Sequence, residues 1–335
     1  MRYQFPIFIT ILVALTACRQ TTSEAQEQAT AITGDQALDD LNEMIVQHPE
    51  DPTLYAHRAE IYYDKEGYDE AIQDLQTALS MDSTNVDYHH LLADVYMDYF
   101  RSRLALRTME RAAALYPERI PTLLKLSEFQ YILKQYDASL ATVDKVLKLD
   151  SRNADAYFML GMNFKDLGDT TRAINSFQTS VEIEPSQVDA WITLGRLHAA
   201  IKSPLAERYF DNAIAEGQGS VIPLHAKADY LRDQGDLAGA LELYKEINRL
   251  DRQYEEAYFN AGLIYLKQDS LGKAYELFNI AVGVYPLYVK AYYFRGLTAE
   301  MQGNMAQARA DYQHALNLVP DYADAQEALA RVSGQ

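Results

Sequence analysis

The chain has 335 residues, and 30 Lys and Arg residues against 48 Asp and Glu residues give it a formal net charge of −18. Such an acidic chain repels the phosphates of nucleic acids, and its one Cys excludes an internal disulfide, a Cys-based zinc site and a CxxC redox pair. Hydrophobic residues make up 48% of the sequence, which is enough for a large folded core. Tyr occurs 25 times, against 11 Phe and one Trp, and this excess indicates a large interaction surface.

The first eighteen residues have the layout of an export signal. Arg2 precedes an apolar run over residues 7–15, and small residues follow it up to Cys18. The run is too short to cross a bilayer, which takes about 20 helical residues, so it is typical of a signal peptide. Its end, LTAC, resembles the lipobox of bacterial lipoproteins. The resemblance implies removal of residues 1–17 and acylation of Cys18 with chains such as palmitate; the alternative is an ordinary signal peptide that happens to contain a Cys.

The next segment is predicted to be a tether between the lipid and the folded part. Residues 19–34 are polar and contain no aromatic residue, so residues 18–34 are interpreted as the lipidated Cys and a flexible linker. Such a coil has a root-mean-square span of roughly 20–24 Å. Arg19, and not Asp, follows the Cys. By resemblance to the Gram-negative sorting pattern, this favours an outer-membrane lipoprotein that faces the periplasm.

A helical pattern then recurs about every 34 residues. In residues 154–187, apolar residues fall at helical spacing in two halves, which Gly168 separates and Pro185 ends. The length and the pattern resemble the tetratricopeptide repeat (TPR). The same frame gives eight units, at 52–85, 86–119, 120–153, 154–187, 188–220, 221–254, 255–288 and 289–322. The resemblance implies an all-α fold, a right-handed α-solenoid of helix hairpins.

Small residues at two places of every unit support this frame. The eighth places hold Ala59, Ala93, Ser127, Gly161, Gly195, Ala228, Gly262 and Gly296. The second helices begin with Ala71, Ala105, Ser139, Ala173, Ala206, Ala240, Ala274 and Ala308. Two helices of a hairpin approach closely only where side chains are small, and a larger residue there costs about 1–3 kcal/mol. The one Trp, Trp191, is expected in the packing between repeats.

Both ends of the array are predicted to be capped. Residues 35–51 resemble the second half of a repeat, and residues 323–335 form a helix with one apolar and one polar side. The frame therefore predicts eighteen helices and no sheet. The fifth unit is one residue short, and the Gly-rich residues 217–220 are either a bend between two arms or an ordinary loop.

In proteins of this family the first helix of each repeat lines the concave groove, and four of its places commonly meet the ligand. Carried over, these places give an acidic stretch and then an apolar stretch. The residues singled out are Glu60, His90, Asp94 and Glu128 in the first, and Phe158, Met162, Ile192, Phe259, Leu263, Tyr293 and Leu297 in the second. Exposed apolar members would form a partner site. The alternative is that neighbouring repeats or the closing helix cover them.

No motif in the sequence predicts catalysis, a metal site or a cofactor. There is no HExxH, no GxSxG and no phosphate loop. His90 and Asp94 are four residues apart and His57 lies one repeat earlier, but a solvated polar face explains this trio more simply. The fifth places of the repeats hold no Lys, so the family's clamp for a C-terminal carboxylate is not expected. An extended segment with apolar side chains and some positive charge suits the groove better.

The leading interpretation is a lipid-anchored scaffold or adaptor, and not an enzyme, that binds proteins in the bacterial cell envelope. Its expected partners are envelope proteins or extended peptide segments, together with the membrane through its N-terminal lipid. No nucleic acid and no cofactor are expected, and a homo-oligomer is compatible with such an array. The alternative is an envelope module that binds glycan or peptidoglycan through its Tyr-rich surface.

Overall fold

A computed structural model describes residues 33–334. Within this range the chain forms eighteen α-helices and no strand, which confirms the predicted all-α solenoid class. The predicted signal peptide, Cys18 and most of the tether lie outside the described residues. A search of the residues described finds no helix that is long and apolar enough to cross a bilayer.

The described part of the chain divides into two compact units, with the boundary between residues 176 and 177. The boundary falls inside the helix Thr170–Ile183, so the last residues of that helix belong to the second unit. From residue 33 onwards, the helices up to this boundary are α1 (Gln36–Gln47), α2 (Pro52–Asp64), α3 (Tyr68–Met81), α4 (Val86–Asp98), α5 (Ser102–Leu115), α6 (Ile120–Ile132), α7 (Tyr136–Leu149), α8 (Ala154–Asp166) and α9 (Thr170–Ile183).

In the first unit, consecutive helices pack as hairpins around buried apolar side chains. Asp51 caps α2 by accepting a hydrogen bond from the backbone of Thr53, and Pro52 occupies the first helical position. Tyr55 and Leu75 are fully buried in the core that α2 and α3 share with their neighbours. Small residues sit at the crossing points as the frame predicts, and Ala59 and Ala71 have no exposed surface.

The second unit is built in the same way. Its helices are α10 (Val188–Ala200), α11 (Ala206–Glu216), α12 (Val221–Gln234), α13 (Leu237–Leu250), α14 (Glu255–Lys267), α15 (Leu271–Val284), α16 (Val289–Met301), α17 (Met305–Leu318) and α18 (Ala323–Ser333). Helix α11 has 11 residues where the other second helices of repeats have 14, and this matches the short fifth unit. Gly217 ends α11 and the side chain of Ser220 caps α12, so the Gly-rich segment is a connection between two helices.

Glycines at the eighth place allow large rings to lie across the hairpin. A Cβ atom added to Gly262 would lie 2.7 Å from the ring of Phe278, and one added to Gly296 would lie 2.9 Å from the ring of Tyr312. Real Cβ atoms essentially never approach so closely, so an alanine at either place would displace the ring. The small residue at the eighth place therefore leaves the space in which the large ring packs.

Each of the eight turns inside a repeat contains one residue in the left-handed region. These residues stand at the fifteenth place of their units: Glu66, Phe100, Lys134, Gly168, Lys202, Gly235, Asp269 and Gly303. Their φ values lie between 53° and 88°. Three of the eight are Gly, which adopts this conformation without steric cost, and the bulky Phe100 is the exceptional member.

Candidate partner-binding site

A cleft of about 620 Å³ with an apolar and acidic lining is the feature of the first unit that best fits a partner. We call it the N-terminal cleft. Only first helices of repeats line it, namely α2, α4, α6 and α8. The lining residues are Tyr63, Asp94, Met97, Asp98, Pro121, Leu124, Lys125, Glu128, Phe129, Ile132, Asp155, Phe158 and Met159.

The cleft combines an apolar floor with an acidic rim. Phe129 and Met159 are buried beneath it, whereas Ile132 is 50% exposed at its surface. Four carboxylates and one ammonium group line the same space. An apolar surface with an excess of negative charge is suited to a ligand that carries both apolar and basic groups.

The charges at the rim are held in place by specific partners. The ammonium group of Lys125 donates to the carboxylate of Asp94, and the hydroxyl of Tyr63 donates to the carboxylate of Asp98. Burial raises the pKa of Asp94, although the hydrogen bond from Lys125 opposes this effect. Glu128 is exposed and makes no ion pair with any described residue. It therefore offers a carboxylate to a ligand at little cost in desolvation.

The polar trio of the sequence interpretation does not form one site. His57 is exposed, Asp94 pairs with Lys125, and Nε2 of His90 lies 3.0 Å from the hydroxyl of Thr122. Burial lowers the pKa of His90 to about 4, and the positive charge of Lys125 adds to this effect, so the ring is neutral at pH 7. Among the residues described, no group of three His, Cys, Asp or Glu side chains is placed to hold a metal ion.

The structure brings three of the predicted binding residues together in the N-terminal cleft: Asp94, Glu128 and Phe158. Glu60 is exposed and His90 is half-buried, but neither lines the cleft. Met162 is half-buried one turn beyond Phe158 and also lies outside the lining. The N-terminal cleft is thus lined by part of the predicted acidic stretch and by only the first residue of the predicted apolar stretch.

In the second unit, two predicted groove residues belong to the core, and the expectation that they are exposed is wrong. Ile192 is 2% exposed and Phe259 is 6% exposed. The ring of Phe259 packs 5.0 Å from Tyr288 and 5.6 Å from Phe294 between ring centroids. Large neighbouring rings therefore cover this place of the repeat.

The other predicted residues of the second unit are half-buried. Leu263 and Tyr293 pack against the cluster that contains Phe259. The Tyr293 ring also lies 5.4 Å from that of Tyr322, in the segment before the closing helix α18. Leu297 is half-buried on α16. Packing by neighbouring repeats and by the end of the array explains Leu263 and Tyr293, as the alternative interpretation anticipated.

Four family models match the chain. One described as TPR repeat matches residues 59–98, and others described as Tetratricopeptide repeat match residues 154–187, 225–286 and 289–322. The chain is a tetratricopeptide repeat protein. The ranges 154–187 and 289–322 coincide with two units of the frame that the sequence predicts.

Relatives with known names share the repeats over part of their length. Human protein O-mannosyl-transferase TMTC1 is 25% identical over 187 residues, which are 54% of this chain and 21% of that protein. Human tetratricopeptide repeat protein 7A is 23% identical over 251 residues, 75% of this chain and 26% of that protein. The TPR chain thus spans about a quarter or less of the length of these two relatives.

Solved structures with the same fold include yeast Tom70 and PilW, a type IV pilus biogenesis factor. Tom70 is matched over 98% of this chain and 74% of its own, with a TM-score of 0.62 and 15% identity. PilW is matched over 63% of this chain and 98% of its own, with a TM-score of 0.53 and 20% identity. These identities show the fold alone. TPR arrays are typically non-enzymatic scaffolds that bind other proteins.

Two sets of polar contacts in this TPR protein were missed from the sequence. Tyr63 donates to Asp98, and Tyr131 donates to Asp166 at 2.8 Å. In each pair the Tyr is at the twelfth place of one repeat and the Asp is at the thirteenth place of the next. The two pairs have the same separation of 35 residues, and this recurrence in the sequence could have predicted the contacts.

The second missed set is an Arg–Asp–Asn triad that occurs near both ends of the array, buried around Arg58 and partly exposed around Arg295. Arg58 contacts Asp74 at 2.6 Å and Asn42 at 2.7 Å, and Arg58 and Asp74 have no exposed side-chain surface. At the other end of the array the same places hold Arg295 and Asp311 of the eighth repeat and Asn279 of the seventh, in contact at 2.5 Å and 2.7 Å. Burial raises the pKa of Asp74, although the hydrogen bonds from Arg58 oppose the effect.

A smaller pocket of about 250 Å³ lies in the second unit beside the short helix α11. Trp191, which was expected inside the packing, is only half-buried and lines this pocket with Tyr209. The two ring centroids are 6.0 Å apart, and the indole NH donates to the carbonyl of Pro185 at 2.8 Å. The other lining residues are Gln178, Val181, Glu182, Leu205, Arg208 and Asn212.

Proposed function

We propose that this TPR protein is a lipid-anchored scaffold of the bacterial cell envelope, and that it binds extended segments of partner proteins in the N-terminal cleft. The observation that carries the binding proposal is the composition of that cleft. First helices of four successive repeats supply an apolar floor and an acidic rim within one space of about 620 Å³. The family typically binds proteins, and this cleft is the place in the first unit where such a contact is best supported.

The chemistry of the cleft favours an extended segment in which apolar side chains alternate with Lys or Arg. Ile132 and the buried Phe129 offer apolar contact, while Glu128 and Asp98 offer carboxylates at the rim. A basic side chain that reaches these carboxylates gains a charge-assisted contact, and the same carboxylates repel acidic competitors. The cleft therefore selects its ligand by charge and holds it by apolar burial.

Binding, and not catalysis, is the proposed activity. The ring of His90 is neutral and is held by Thr122, and the carboxylate of Asp94 is paired with Lys125. None of these groups is arranged as a nucleophile beside a base. No cofactor is required for the recognition that we propose.

The anchoring part of the proposal is supported by the first eighteen residues of the sequence. Replacement of Cys18 by Ala in cells should move the protein from the membrane fraction to the soluble fraction, because a chain without acyl groups lacks the apolar anchor. Separation of inner and outer membranes tests the proposed outer-membrane location, and protease access to intact cells tests the periplasmic side. Retention of the Cys18→Ala variant in membranes would contradict lipid anchoring.

The binding part is tested with the full chain and a displayed library of random peptides. We expect the selected peptides to combine apolar residues with Lys or Arg. Glu128→Lys should weaken their binding about tenfold, because it reverses an exposed charge at the rim. Ile132→Ser should weaken it as well, whereas Glu276→Lys and Leu287→Ser, at exposed sites of the second unit, serve as matched controls. Equal binding by Glu128→Lys and the parent chain would refute the cleft as the site.

A second candidate function is glycan or peptidoglycan binding, and the pocket beside Trp191 favours it. An indole and a phenol ring next to planar polar side chains such as Gln178 and Asn212 provide both stacking and hydrogen bonds. Cell-wall fragments should then raise the melting temperature of the parent chain and not that of Trp191→Leu. A shift with fragments, without any peptide selected by the cleft, would reverse the order of the two candidates.

A further inference from the structure

A stripe of arginines runs along the solvent side of helix α5. Arg103, Arg107 and Arg111 are exposed and four residues apart, so they lie on one face of the helix. Within residues 33–334 none of the three side chains makes a hydrogen bond or an ion pair, and Glu110 is the one acidic residue of the helix. We call these three residues the arginine stripe. In a chain with a net charge of −18, an unpaired row of cations is a local exception.

An aromatic side chain projects from the protein at the N-terminal end of the stripe. Phe100 is 94% exposed, far more than any other large apolar residue described. Its backbone has φ 57°, in the left-handed region that is unfavourable for a bulky residue. The equivalent residues of the other seven turns are Gly, Lys, Glu or Asp. Packing does not explain Phe100, because its side chain is almost wholly in solvent.

Further apolar surface lies alongside the arginines. Leu104, Leu115 and Tyr116 are between 36% and 40% exposed at the two ends of α5. These side chains are separated by Arg107 and Arg111 and do not form a continuous apolar centre. Protein interfaces usually have such a centre inside a polar rim. Single apolar groups between cationic head groups are instead typical of segments that lie on an anionic membrane surface.

Two of the arginines also line a groove that is large enough for a lipid headgroup. Its volume is about 540 Å³, and Arg107, Arg111 and the buried His89 face it. Nε2 of His89 contacts the carbonyl of Ser83 at 3.0 Å, so Nε2 carries the proton and Nδ1 is a bare acceptor. Nδ1 has no hydrogen-bond partner among the described residues. The groove therefore offers two cations for a phosphate.

We propose that the arginine stripe and Phe100 form a second membrane contact, which binds the surface of a bilayer rich in anionic phospholipid. The arginines contact headgroup phosphates, and Phe100 enters the boundary between headgroups and acyl chains. The acidic remainder of the protein is repelled by the same surface, so this contact also fixes which face of the first unit meets the lipid. The contact does not depend on acylation of Cys18, and either proposal can fail without the other.

Vesicle flotation with the full chain tests this contact. The chain carries Cys18→Ser throughout, which removes acylation and leaves the remaining N-terminal residues the same in every variant. We expect more binding to phosphatidylglycerol vesicles than to phosphatidylcholine vesicles, and the excess should fall at high salt because exposed charges are screened. Each Arg→Gln change in the stripe should weaken the excess about fivefold. Phe100→Ala should weaken it about tenfold.

Matched controls come from exposed residues of the second unit. Arg249→Gln, Arg252→Gln and Leu287→Ala remove similar groups and should leave vesicle binding unchanged. Because all altered residues are exposed, their melting temperatures should equal that of the parent chain. If the triple Arg103→Gln, Arg107→Gln, Arg111→Gln variant binds phosphatidylglycerol vesicles as tightly as the parent, the proposal is overturned. Loss of an acidic protein partner in that same variant would then assign the stripe to a protein.

Discussion

The first helices of the repeats serve different purposes in the two units. In the first unit, α2, α4, α6 and α8 line an open cleft with carboxylates at its rim. In the second unit, the same face of α14 and α16 is filled by the rings of Phe259, Phe294 and Tyr293. The Phe294 ring packs on those of Phe259, Tyr293 and Phe278. One repeat frame thus produces a surface for a partner in one unit and a core in the other.

The difference shows that a place in the repeat does not decide exposure by itself. Phe158 and Phe259 both stand at the fifth place, yet Phe158 lines the N-terminal cleft and Phe259 is 6% exposed within an aromatic cluster. The neighbouring side chains determine the exposure of this place, because large rings fill the space between adjacent first helices in the second unit.

The largest expected effect is the loss of stability in the second unit when its aromatic cluster is opened. Phe259→Ala should lower the free energy of unfolding by about 3–5 kcal/mol, because it leaves a cavity among rings that cannot collapse. Ile132→Ala, at the surface of the N-terminal cleft, should cost about 1 kcal/mol or less, because half of its surface already faces water. Urea unfolding measures both, and Trp191 fluorescence reports directly on the second unit. If the two changes lower the free energy of unfolding equally, the proposed difference between a filled face and an open cleft is contradicted.

The second expected effect compares the buried triad of Arg58 with the partly exposed triad of Arg295. Arg58→Met should cost about 3–5 kcal/mol, because it leaves the carboxylate of Asp74 buried without its counterion. Arg295→Met should cost less, because Asp311 keeps a hydrogen bond from Gln307 at 3.1 Å and Arg295 is partly exposed. The measurement is the urea midpoint by circular dichroism.

A double variant sharpens this test. Arg58→Met with Asp74→Leu removes both charges, and it should recover most of the stability lost by Arg58→Met alone. If the double variant is as unstable as the single one, lost packing and not an uncompensated charge explains the cost of removing Arg58.

The smallest expected effect is a pH dependence that comes from the first unit. The pKa of His90 in the folded protein is about 4, below the ordinary value of 6.5, because burial disfavours the charged ring. Unfolding therefore takes up a proton, and the contribution of His90 is present above pH 6.5 and is lost as the pH falls towards 4. After allowance for solvent screening this is about 1 kcal/mol. Thermal unfolding of the parent and His90→Gln across this range should give curves that converge at low pH; parallel curves would contradict it.

The fold was predictable from the sequence because its signals are local and repeated. The 34-residue period, the small residues such as Ala59 and Gly262, and the polar-backed ends all describe contacts within a hairpin or with the next repeat. Helix count and class follow from these signals. The left-handed turn residue was harder to find, because five of the eight turns do without Gly.

The site was predictable only in part. Asp94, Glu128 and Phe158 do share the N-terminal cleft, but Ile192 and Phe259 are buried. The burial of a residue depends on the way in which bulky side chains of several repeats fill a shared space. The place of one residue in the repeat frame does not predict this packing. The buried triad of Arg58 is similar, since its three members come from three helices and are 16 residues apart.

The most direct test of the account asks whether the N-terminal cleft holds a partner segment in the cell. A photo-reactive amino acid placed at Ile132, in the otherwise native chain, is irradiated in living cells, and the same amino acid at the exposed Leu287 of the second unit is the control. The account predicts a crosslinked protein at position 132 that disappears when Glu128→Lys is added, and no such product at position 287. Crosslinks that are equal at both positions, or that persist with Glu128→Lys, would contradict it.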